Sequence, residues 1–533
     1  MVSTFAATLL AALGLAAPVS TPAAKPTGGA FFVSGHGWGH GVGMAQYGAY
    51  GYALHGWTYD QIVAHYFPGT ELGAAPVKRV RVLLSPAAKS IVISSKAPFS
   101  VVDGSGKAHK LPAGQQKLGP GLKLKLAASA KALPSPLVFS PGTQALTLGG
   151  HAYRGTFRVT GGKRVRVVNV VGLESYLYGV VPSEMPDRWP AEALEAQAVV
   201  ARSYALSHLE AGSDFDLYPD TRSQVYGGIA AESQAGRDAV DATAGKVVLY
   251  DGEVAETFFS SSSGGRTANV QDVWTGSKPL PYLVSVPDPY DTLSPYHNWG
   301  PLQFGALQLG KKLGARGTLL DVRADAAPSG RVRTLTLVGT KGTKTISGST
   351  ARAAMGLRST WFTIGAMTIT PPAGPLEYGT TTHLTGVVRG MPRVTLDSRA
   401  YGGQWKPLAV LTSRNGKVTA TVSPKVTTDY RISSGIVRSA VVRLSVAPSV
   451  RLSASTDHTS VSGTVRPFLS GAPVQVQRQG TNGAWTTVAQ ATSASDGSFQ
   501  AVLNLVPGAY RARIVPGNGF APGVSPVLTV VPA

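Results

Sequence analysis

The sequence contains no cysteine and few charged residues. Without cysteine the chain has no disulfides and no thiol chemistry, and any metal site must use histidine and carboxylates. Charged residues make up only 14% of the 533 positions, whereas Gly (63) and Pro (37) are abundant, which favours a turn-rich, largely β protein. The length exceeds what one ordinary hydrophobic core organises, so we expect about three domains.

Acidic residues are scarce as well. Lys and Arg outnumber Asp and Glu by 49 to 28, which gives a net charge of +21 and a pI near 10.0. A cationic surface favours polyanions, and both nucleic acid and an anionic cell wall fit this charge. Because the basic residues are spread out, with no zinc-finger, helix-turn-helix or RNP-type signature, we expect no nucleic-acid partner.

Long apolar runs are missing after the N-terminus, so we expect no transmembrane segment there. Residues 5–17 are apolar and are followed by P-V-S-T-P-A-A-K-P, although no Lys or Arg precedes the run. This pattern predicts a signal peptide over residues 1–25. We therefore expect an exported protein, either secreted or associated with the cell wall.

A single acid, Glu184, stands in a proline-bounded turn directly before a predicted helix. Residues before proline avoid helical angles, so Pro182 and Pro186 predict a kinked connection around Glu184. Pro190 suits the first helical turn, small apolar residues follow at helical spacing, and Gly212 is a credible stop. Among apolar neighbours the carboxyl would have the raised pKa that a general acid needs. The alternative is a solvated turn acid or a helix cap.

A second unusual stretch is residues 30–50, AFFVSGHGWGHGVGMAQYGAY. Glycines at every second position from 35 to 43 exclude an ordinary helix and predict a loop whose amides can face a ligand closely. His36 and His40 suggest a metal site, but no third ligand lies nearby in sequence. The alternative, which we prefer, is that both imidazoles form hydrogen bonds within the loop.

The run Y-L-Y-G-V-V-P-S-E-M-P, with the following W-P-A-E-A-L-E-A-Q-A-V-V-A-R-S-Y-A-L, resembles the stage II sporulation protein D family, also called SpoIID/LytB. Members include lytic transglycosylases that cut peptidoglycan glycan strands, and others are described as enhancers of cell-wall amidases. The family's catalytic glutamate falls on Glu184. The resemblance implies an α+β fold: a mainly β core of the SpoIID type with a few helices.

The glycine-rich loop is similar to a second family signature, G-x-G-W-G-H-G-V-G-M-S-Q-W/Y-G-A. In most members this segment follows the S-E-M-P motif, whereas here it comes first. A circular permutation would explain the order, because permutation is tolerated when termini lie close together. We therefore predict that loop 35–48 still returns in space to Glu184.

Two later segments continue the resemblance. S-Q-V-Y-G-G begins at Ser223, and T-F-F-S-S-S-S-G-G-R-T ends at Thr267. Some members bind zinc at the second segment through Cys and His; here Ser260, Ser261 and Arg266 stand there, so we expect no metal and no cofactor. Without the resemblance, the Ser/Gly segment predicts a β-turn or an anion-binding nest. The predicted substrate-binding residues are Gln46, His40, Arg202, Gln224, Ser262, Gly264 and Gly265.

The remaining chain predicts scaffold and repeats. Short alternating strands from residue 77 to 171 predict a β-barrel or sandwich. After Pro371-Pro372, Trp405 to Tyr430 spans the same 25 positions as Trp485 to Tyr510, which indicates two copies of one β unit. We predict domains at 30–366, 367–447 and 448–533, the last two being small immunoglobulin-like sandwiches that act as spacers or wall-adhesion modules.

The expected activity follows from the resemblance. Glu184 would protonate the glycosidic oxygen between N-acetylmuramic acid and N-acetylglucosamine and would then deprotonate the sugar's C6 hydroxyl, giving a 1,6-anhydro product. The alternative is a non-catalytic amidase enhancer or wall-binding protein. Expected partners are peptidoglycan glycan strands and, under the alternative, a cell-wall amidase.

Overall fold

The computed structural model describes residues 30–126, 129–209, 212–274, 276–391, 393–435 and 437–532. The predicted signal peptide lies outside these residues. The chain divides into two compact units. The first comprises Phe32–Gln303 and Leu309–Ile364, and the second includes Phe304–Gln308 and Gly365–Ala533. The predicted domain boundaries at 366 and 447 stay predictions.

Most helices are short. Within the described residues they are α1 (Gln46–Leu54), α2 (Tyr59–Tyr66), α3 (Leu173–Tyr178), α4 (Val181–Glu184), α5 (Ala191–Ser207), α6 (Gln234–Ala242), α7 (Val270–Val273), α8 (Ala306–Leu313) and α9 (Gly348–Met355). None of those helices combines the length and apolar character that a membrane span needs.

Strands dominate the rest of the chain, which confirms the predicted α+β, mainly β class. Up to residue 370 the described strands are β1 (Ala30–His36), β2 (Met44–Ala45), β3 (Glu71–Ala74), β4 (Arg79–Ala88), β5 (Ile91–Ser95), β6 (Phe99–Val102), β7 (Ala108–Leu111), β8 (Gly114–Leu118), β9 (Lys123–Leu126), β10 (Ser129–Ala132), β11 (Leu137–Ser140), β12 (Leu146–Leu148), β13 (His151–Tyr153), β14 (Thr156–Thr160), β15 (Val165–Gly172), β16 (Lys246–Tyr250), β17 (Glu253–Val254), β18 (Phe259–Ser260), β19 (Asn298–Gly305), β20 (Leu319–Ala326), β21 (Val332–Gly339), β22 (Gly342–Ser347) and β23 (Phe362–Thr370). The later described strands are β24 (Leu376–Glu377), β25 (Thr382–Arg389), β26 (Arg393–Ala400), β27 (Lys406–Thr412), β28 (Lys417–Val422), β29 (Thr428–Ser434), β30 (Val437–Arg438), β31 (Val442–Leu444), β32 (Val446–Ala447), β33 (Ser449–Ala454), β34 (Ser460–Arg466), β35 (Pro473–Gln479), β36 (Trp485–Thr492), β37 (Ser498–Val502), β38 (Gly508–Ile514), β39 (Gly523–Val524) and β40 (Leu528–Val530).

The predicted scaffold of residues 77–171 is a sandwich. One sheet has the order β4-β15-β14-β11-β6-β7 and the other the order β13-β12-β5-β8. Inward residues of both sheets share one core, including Ile93 from β5, Phe139 from β11 and Phe157 from β14. Strand β15 then leads directly into α3, so the sandwich fixes where the helical segment begins.

Helix α5 is the centre of a second core. Its small side chains allow neighbours to approach closely, and it packs against α1, α2, α6 and β16. The apolar residues at helical spacing, Leu194, Ala198, Ala201 and Ala205, are buried, but burial extends around most of the helix rather than along one face. The helix ends at Ser207, so the predicted stop at Gly212 is wrong, and Pro190 is the residue before its first turn.

The two C-terminal repeats have matching topology. The first repeat (residues 367–447) has a sheet of order β27-β26-β29-β30, and the second (residues 448–533) a sheet of order β36-β35-β38-β39. Tyr430 on β29 and Tyr510 on β38 are buried at corresponding positions. The prediction of two small all-β units is therefore confirmed.

Candidate functional site

Glu184 ends a single helical turn. Its N–H donates to the Val180 carbonyl (3.1 Å), and Met185 then adopts extended angles before Pro186. The sequence predicted a kinked connection at Glu184; the kink instead begins at Met185, because that residue directly precedes proline. Pro186 and Trp189 lie in the short connection between α4 and α5. The Trp189 ring stacks on Tyr50 with 4.6 Å between ring centroids.

The Glu184 carboxyl is half-buried and accepts a main-chain hydrogen bond. The Val225 N–H donates to Glu184 Oε1 at 3.2 Å. Burial raises the pKa of Glu184, while the Val225 N–H and the Gln46 amide act in the opposite direction. A carboxyl with a raised pKa stays protonated to higher pH, which suits a proton donor.

Gln46 ties the glycine-rich loop to this acid. Its Nε2 donates to the Glu184 carbonyl oxygen at 3.1 Å and lies 3.5 Å from Gln197 Oε1. Gln46 lies within the predicted loop 35–48 and is the first residue of α1. The prediction that this loop returns to Glu184 is therefore confirmed, despite the reversed order of the two motifs.

Gln224 lies one residue before the Val225 amide, and its own side chain is held inside the protein. Its Nε2 donates to the Ala201 carbonyl at 3.2 Å, and its Oε1 accepts from the Tyr176 hydroxyl at 3.1 Å. The side chain is only 1% exposed. Gln224 thus fixes the segment that presents Val225 to Glu184.

His40 is held within its own loop. Its Nδ1 accepts from the Val42 N–H at 3.1 Å, which agrees with the preferred interpretation of the loop imidazoles. Burial, together with nearby Arg331 and Arg352, lowers the pKa of His40 to about 4. The ring is therefore neutral at pH 7.

Arg202 has a structural environment. Its side chain is fully buried, its Nη2 forms an ion pair with Glu174 Oε2 at 2.6 Å, and its Nη1 donates to the Lys246 carbonyl at 2.9 Å. The same Glu174 also accepts from the Gly245 N–H at 3.0 Å. Arg202 therefore joins α5 to α3 and β16, and it offers no exposed face to a ligand.

The Ser/Gly segment forms an anion-binding nest whose anion comes from the chain itself. Asp291 accepts from the Ser263 N–H (3.0 Å), the Gly264 N–H (2.9 Å) and the Ser262 hydroxyl (2.8 Å). The Gly265 N–H donates to the Ser263 hydroxyl at 3.0 Å. The polar groups of Ser262, Gly264 and Gly265 are thus used internally.

A second carboxyl, that of Asp288, contacts the same Ser/Gly segment. Asp288 is fully buried and accepts from the Ser263 hydroxyl at 2.6 Å. Burial, with Asp291 nearby, raises the pKa of Asp288 to about 7. Within the described part of the chain, no group of three or more His, Cys, Asp or Glu side chains is arranged to hold a metal ion.

Sequence reasoning missed three residues. Val225 contacts Glu184, Gln197 contacts Gln46, and Asp291 fills the Ser/Gly nest. Every residue except proline has a main-chain N–H, so the sequence gives no sign that the N–H of Val225 binds Glu184. Gln197 had a signal, because a lone amide within A-Q-A-V-V on a buried helix needs a polar partner. Asp291 had only a weak one, the two acids of D-P-Y-D.

Known proteins are similar to parts of this chain. Residues 161–250 match the family model described as Stage II sporulation protein. The chain is 33% identical over 215 residues to Stage II sporulation protein D of Bacillus subtilis (strain 168), covering 37% of this chain and 61% of that protein. It is 42% identical over 116 residues to the amidase enhancer of the same organism, covering 22% of this chain and 15% of that protein. The chain thus spans less than two thirds of either relative.

Among solved structures, a two-domain fibronectin type-III segment from chicken tenascin is similar at 15% identity, covering 31% of this chain and 97% of that one. Its TM-score is 0.20, too low to support a conclusion. The residues that match the family model, by contrast, include Glu184. The chain is therefore similar, over part of its length, to members of the stage II sporulation protein D family.

Proposed function

We propose that this protein is an exported cell-wall protein that cuts peptidoglycan glycan strands as a lytic transglycosylase, with Glu184 as its acid. The observation that carries the proposal is the environment of Glu184. Its carboxyl is half-buried, burial raises its pKa, and the Val225 N–H orients one oxygen. A protonated, oriented carboxyl is what a general acid requires.

One carboxyl is enough for this chemistry. Ordinary glycosidases use two carboxyl groups, because one activates water or attacks the sugar. In the described part of the chain, the groups that shift the pKa of Glu184 include a main-chain N–H and an amide but no second carboxylate. A reaction whose nucleophile belongs to the substrate fits this arrangement.

The proposed steps use Glu184 twice. Its proton passes to the oxygen that links N-acetylmuramic acid to N-acetylglucosamine as that glycosidic bond breaks. The resulting carboxylate then takes the proton of the muramic acid C6 hydroxyl, whose oxygen bonds to C1. The products are a 1,6-anhydro end and a free N-acetylglucosamine hydroxyl, and Glu184 is protonated again.

Other residues support the acid in different ways. Gln46 holds the main chain of Glu184 through its hydrogen bond to the Glu184 carbonyl. Gln224 holds the segment that contains Val225 through its hydrogen bond to the Ala201 carbonyl. We leave Arg202, Ser262, Gly264 and Gly265 out of the substrate contacts, because their polar groups are used internally. His40, neutral and held in its loop, is kept only as a hydrogen-bonding group of that loop.

The second candidate function is enhancement of a cell-wall amidase. It is favoured by the relative described as an amidase enhancer, which is 42% identical over 116 residues. In that case the Glu184 region would bind glycan or the amidase without cutting. The two candidates differ in one product, the 1,6-anhydro end.

The test is mass spectrometry of the soluble products from peptidoglycan, intact and stripped of stem peptides. We expect anhydro products from the wild type and none from Glu184→Gln, which keeps the shape of the side chain but cannot donate the proton. Glu195→Gln is the matched control, since burial also raises the pKa of Glu195 on the neighbouring helix. Anhydro products from Glu184→Gln would exclude the proposed chemistry.

A further inference from the structure

The second repeat carries two neighbouring arginines that form no ion pair with an acid among the described residues. Arg511 and Arg513 lie two positions apart on β38, so their side chains share one face of the sheet. Their Cα atoms are about 6.7 Å apart, as two strand steps require. Within the described residues neither guanidinium forms an ion pair: Arg511 Nε donates to Gln477 Oε1 (2.9 Å) and Arg513 Nη1 to Gln475 Oε1 (3.3 Å).

The first repeat provides an internal comparison. There Arg431 occupies the position of Arg511 and pairs across the strands with Asp397, at 3.0 Å between Nε and Oδ2. Arg399 and Arg443 both pair with Asp429, the residue directly before Tyr430. In the first repeat, two buried carboxylates therefore form ion pairs with three arginines.

Both acids are replaced in the second repeat. Gln477 stands opposite Arg511 where Asp397 stands opposite Arg431. Ala509 precedes Tyr510 where Asp429 precedes Tyr430. The second repeat therefore lacks both acids at these positions, and the described partners of Arg511 and Arg513 are neutral amides.

The contact between an arginine and a tryptophan is kept, whereas Gln479 and Thr529 stand where the first repeat has Arg399 and Arg443. In the first repeat the Arg431 guanidinium lies 4.1 Å from the centroid of Trp405, and in the second Arg511 lies 4.2 Å from Trp485. The indole holds the guanidinium plane against the sheet, which limits its freedom. Burial and the neighbouring Arg513 lower the pKa of Arg511, as expected for like charges held close together.

We propose that this face, formed by Arg511, Arg513, Gln475, Gln477 and Trp485, binds a polymer of repeating phosphates in the cell wall. Guanidinium groups bind phosphate oxygens through paired N–H donors, and two guanidiniums on one strand suit successive charges along a chain. The surrounding sequence supports an anionic partner, because residues 365–533 contain 15 Lys and Arg against 5 Asp and Glu.

The test uses the full chain with inorganic polyphosphate as the probe, at low and at high salt. We expect Arg511→Gln/Arg513→Gln to weaken binding about tenfold or more at low salt. Arg399→Gln/Arg431→Gln, which removes the same charge from the first repeat, should change binding much less. Equal losses in the two double variants would show general charge attraction and would overturn the proposal.

A second variant keeps both arginines. Gln477→Asp/Ala509→Asp installs the acids of the first repeat and should also weaken polyphosphate binding. The thermal unfolding midpoint is recorded for every variant. Tighter binding of single-stranded DNA or of polyglutamate than of polyphosphate would reject a phosphate polymer of the wall as the partner. None of these substitutions touches Glu184, so this test and that of the glycan-cutting activity can fail independently.

Discussion

At the scale of single residues, Glu184 is surrounded by neutral donors. The Val225 N–H approaches its carboxyl, and the Gln46 amide approaches its carbonyl. Neutral donors orient a carboxyl without the strong fall in pKa that a guanidinium partner would cause. Glu184 can therefore remain a better proton donor than an acid held in an ion pair, such as Asp220 beside Arg222, whose pKa is lowered to about 2.

Arg202 illustrates what a motif does not reveal. It is among the residues predicted from the sequence to bind substrate. Burial around the whole of α5 places it instead in the interior with Glu174. A sequence does not show how many neighbours cover a helix, so it could not distinguish a ligand-binding arginine from an internal one.

We expect Arg202→Ala to lower the free energy of unfolding by about 3 kcal/mol, because it leaves buried carbonyls and Glu174 without a donor. Arg222→Ala is the control: it breaks the Asp220 pair, whose side chains are 57% and 49% exposed, and it should cost much less because solvent screens an exposed ion pair. Urea unfolding of both variants measures the difference. Equal stability losses would contradict the structural role of Arg202.

Asp288 predicts a stability that depends on pH. Its folded pKa is raised from 3.8 to about 7, so the folded state binds the proton more tightly than the unfolded state. The stability that Asp288 contributes is therefore fully present below about pH 4 and is lost as the pH rises towards 7.

Asp288→Asn removes the loss of stability at high pH, because an asparagine side chain does not ionise. Relative to the wild type, the variant should gain on the order of 1 kcal/mol or more at pH 8 and little at pH 4. Thermal unfolding at both pH values checks the sign. Asp220→Asn serves as a control, because the lowered pKa of Asp220 confines its effect on the pH dependence to below about pH 4, so its effect on stability should be nearly the same at pH 4 and pH 8. A gain for Asp288→Asn that is the same at both pH values would contradict this prediction.

At the scale of elements, the glycine-rich loop approaches other backbone segments too closely for a side chain. Gly43 has φ +69°, and a Cβ there would lie 2.2 Å from the Phe258 carbonyl oxygen. That oxygen accepts from the Met44 N–H at 3.0 Å, where β2 pairs with β18. The glycine spacing predicted a close-approach loop; what it approaches, another segment of the chain, could not be predicted.

Gly43→Ala should therefore cost about 3 kcal/mol, from left-handed backbone strain and overpacking together. Gly69→Ala is a matched control, because Gly69 has φ +76° and open space around it. That control should cost only about 1 kcal/mol, from backbone strain alone. Chemical unfolding of both variants measures the difference, and equal costs would show that the contact with Phe258 is unimportant.

At the scale of the whole molecule, repetition and motif order were readable from the sequence, but the use of individual side chains was not. Equal spacing of Trp405 and Trp485 from Tyr430 and Tyr510 predicted two copies of one unit, since period survives in sequence. The nest at Ser262 could be predicted as an anion site, yet its anion, Asp291, lies 29 positions away. Such pairings depend on tertiary structure alone.

The central claim is that Glu184 donates the proton that breaks a glycan strand. The most direct measurement compares the wild type, Glu184→Gln and Glu195→Gln on peptide-stripped peptidoglycan, with soluble products identified by mass spectrometry. We predict 1,6-anhydro products from the wild type and from Glu195→Gln, and none from Glu184→Gln. The Glu184→Gln variant should be at least as thermally stable as the wild type. Anhydro products from all three proteins, or from none of them, would contradict the claim.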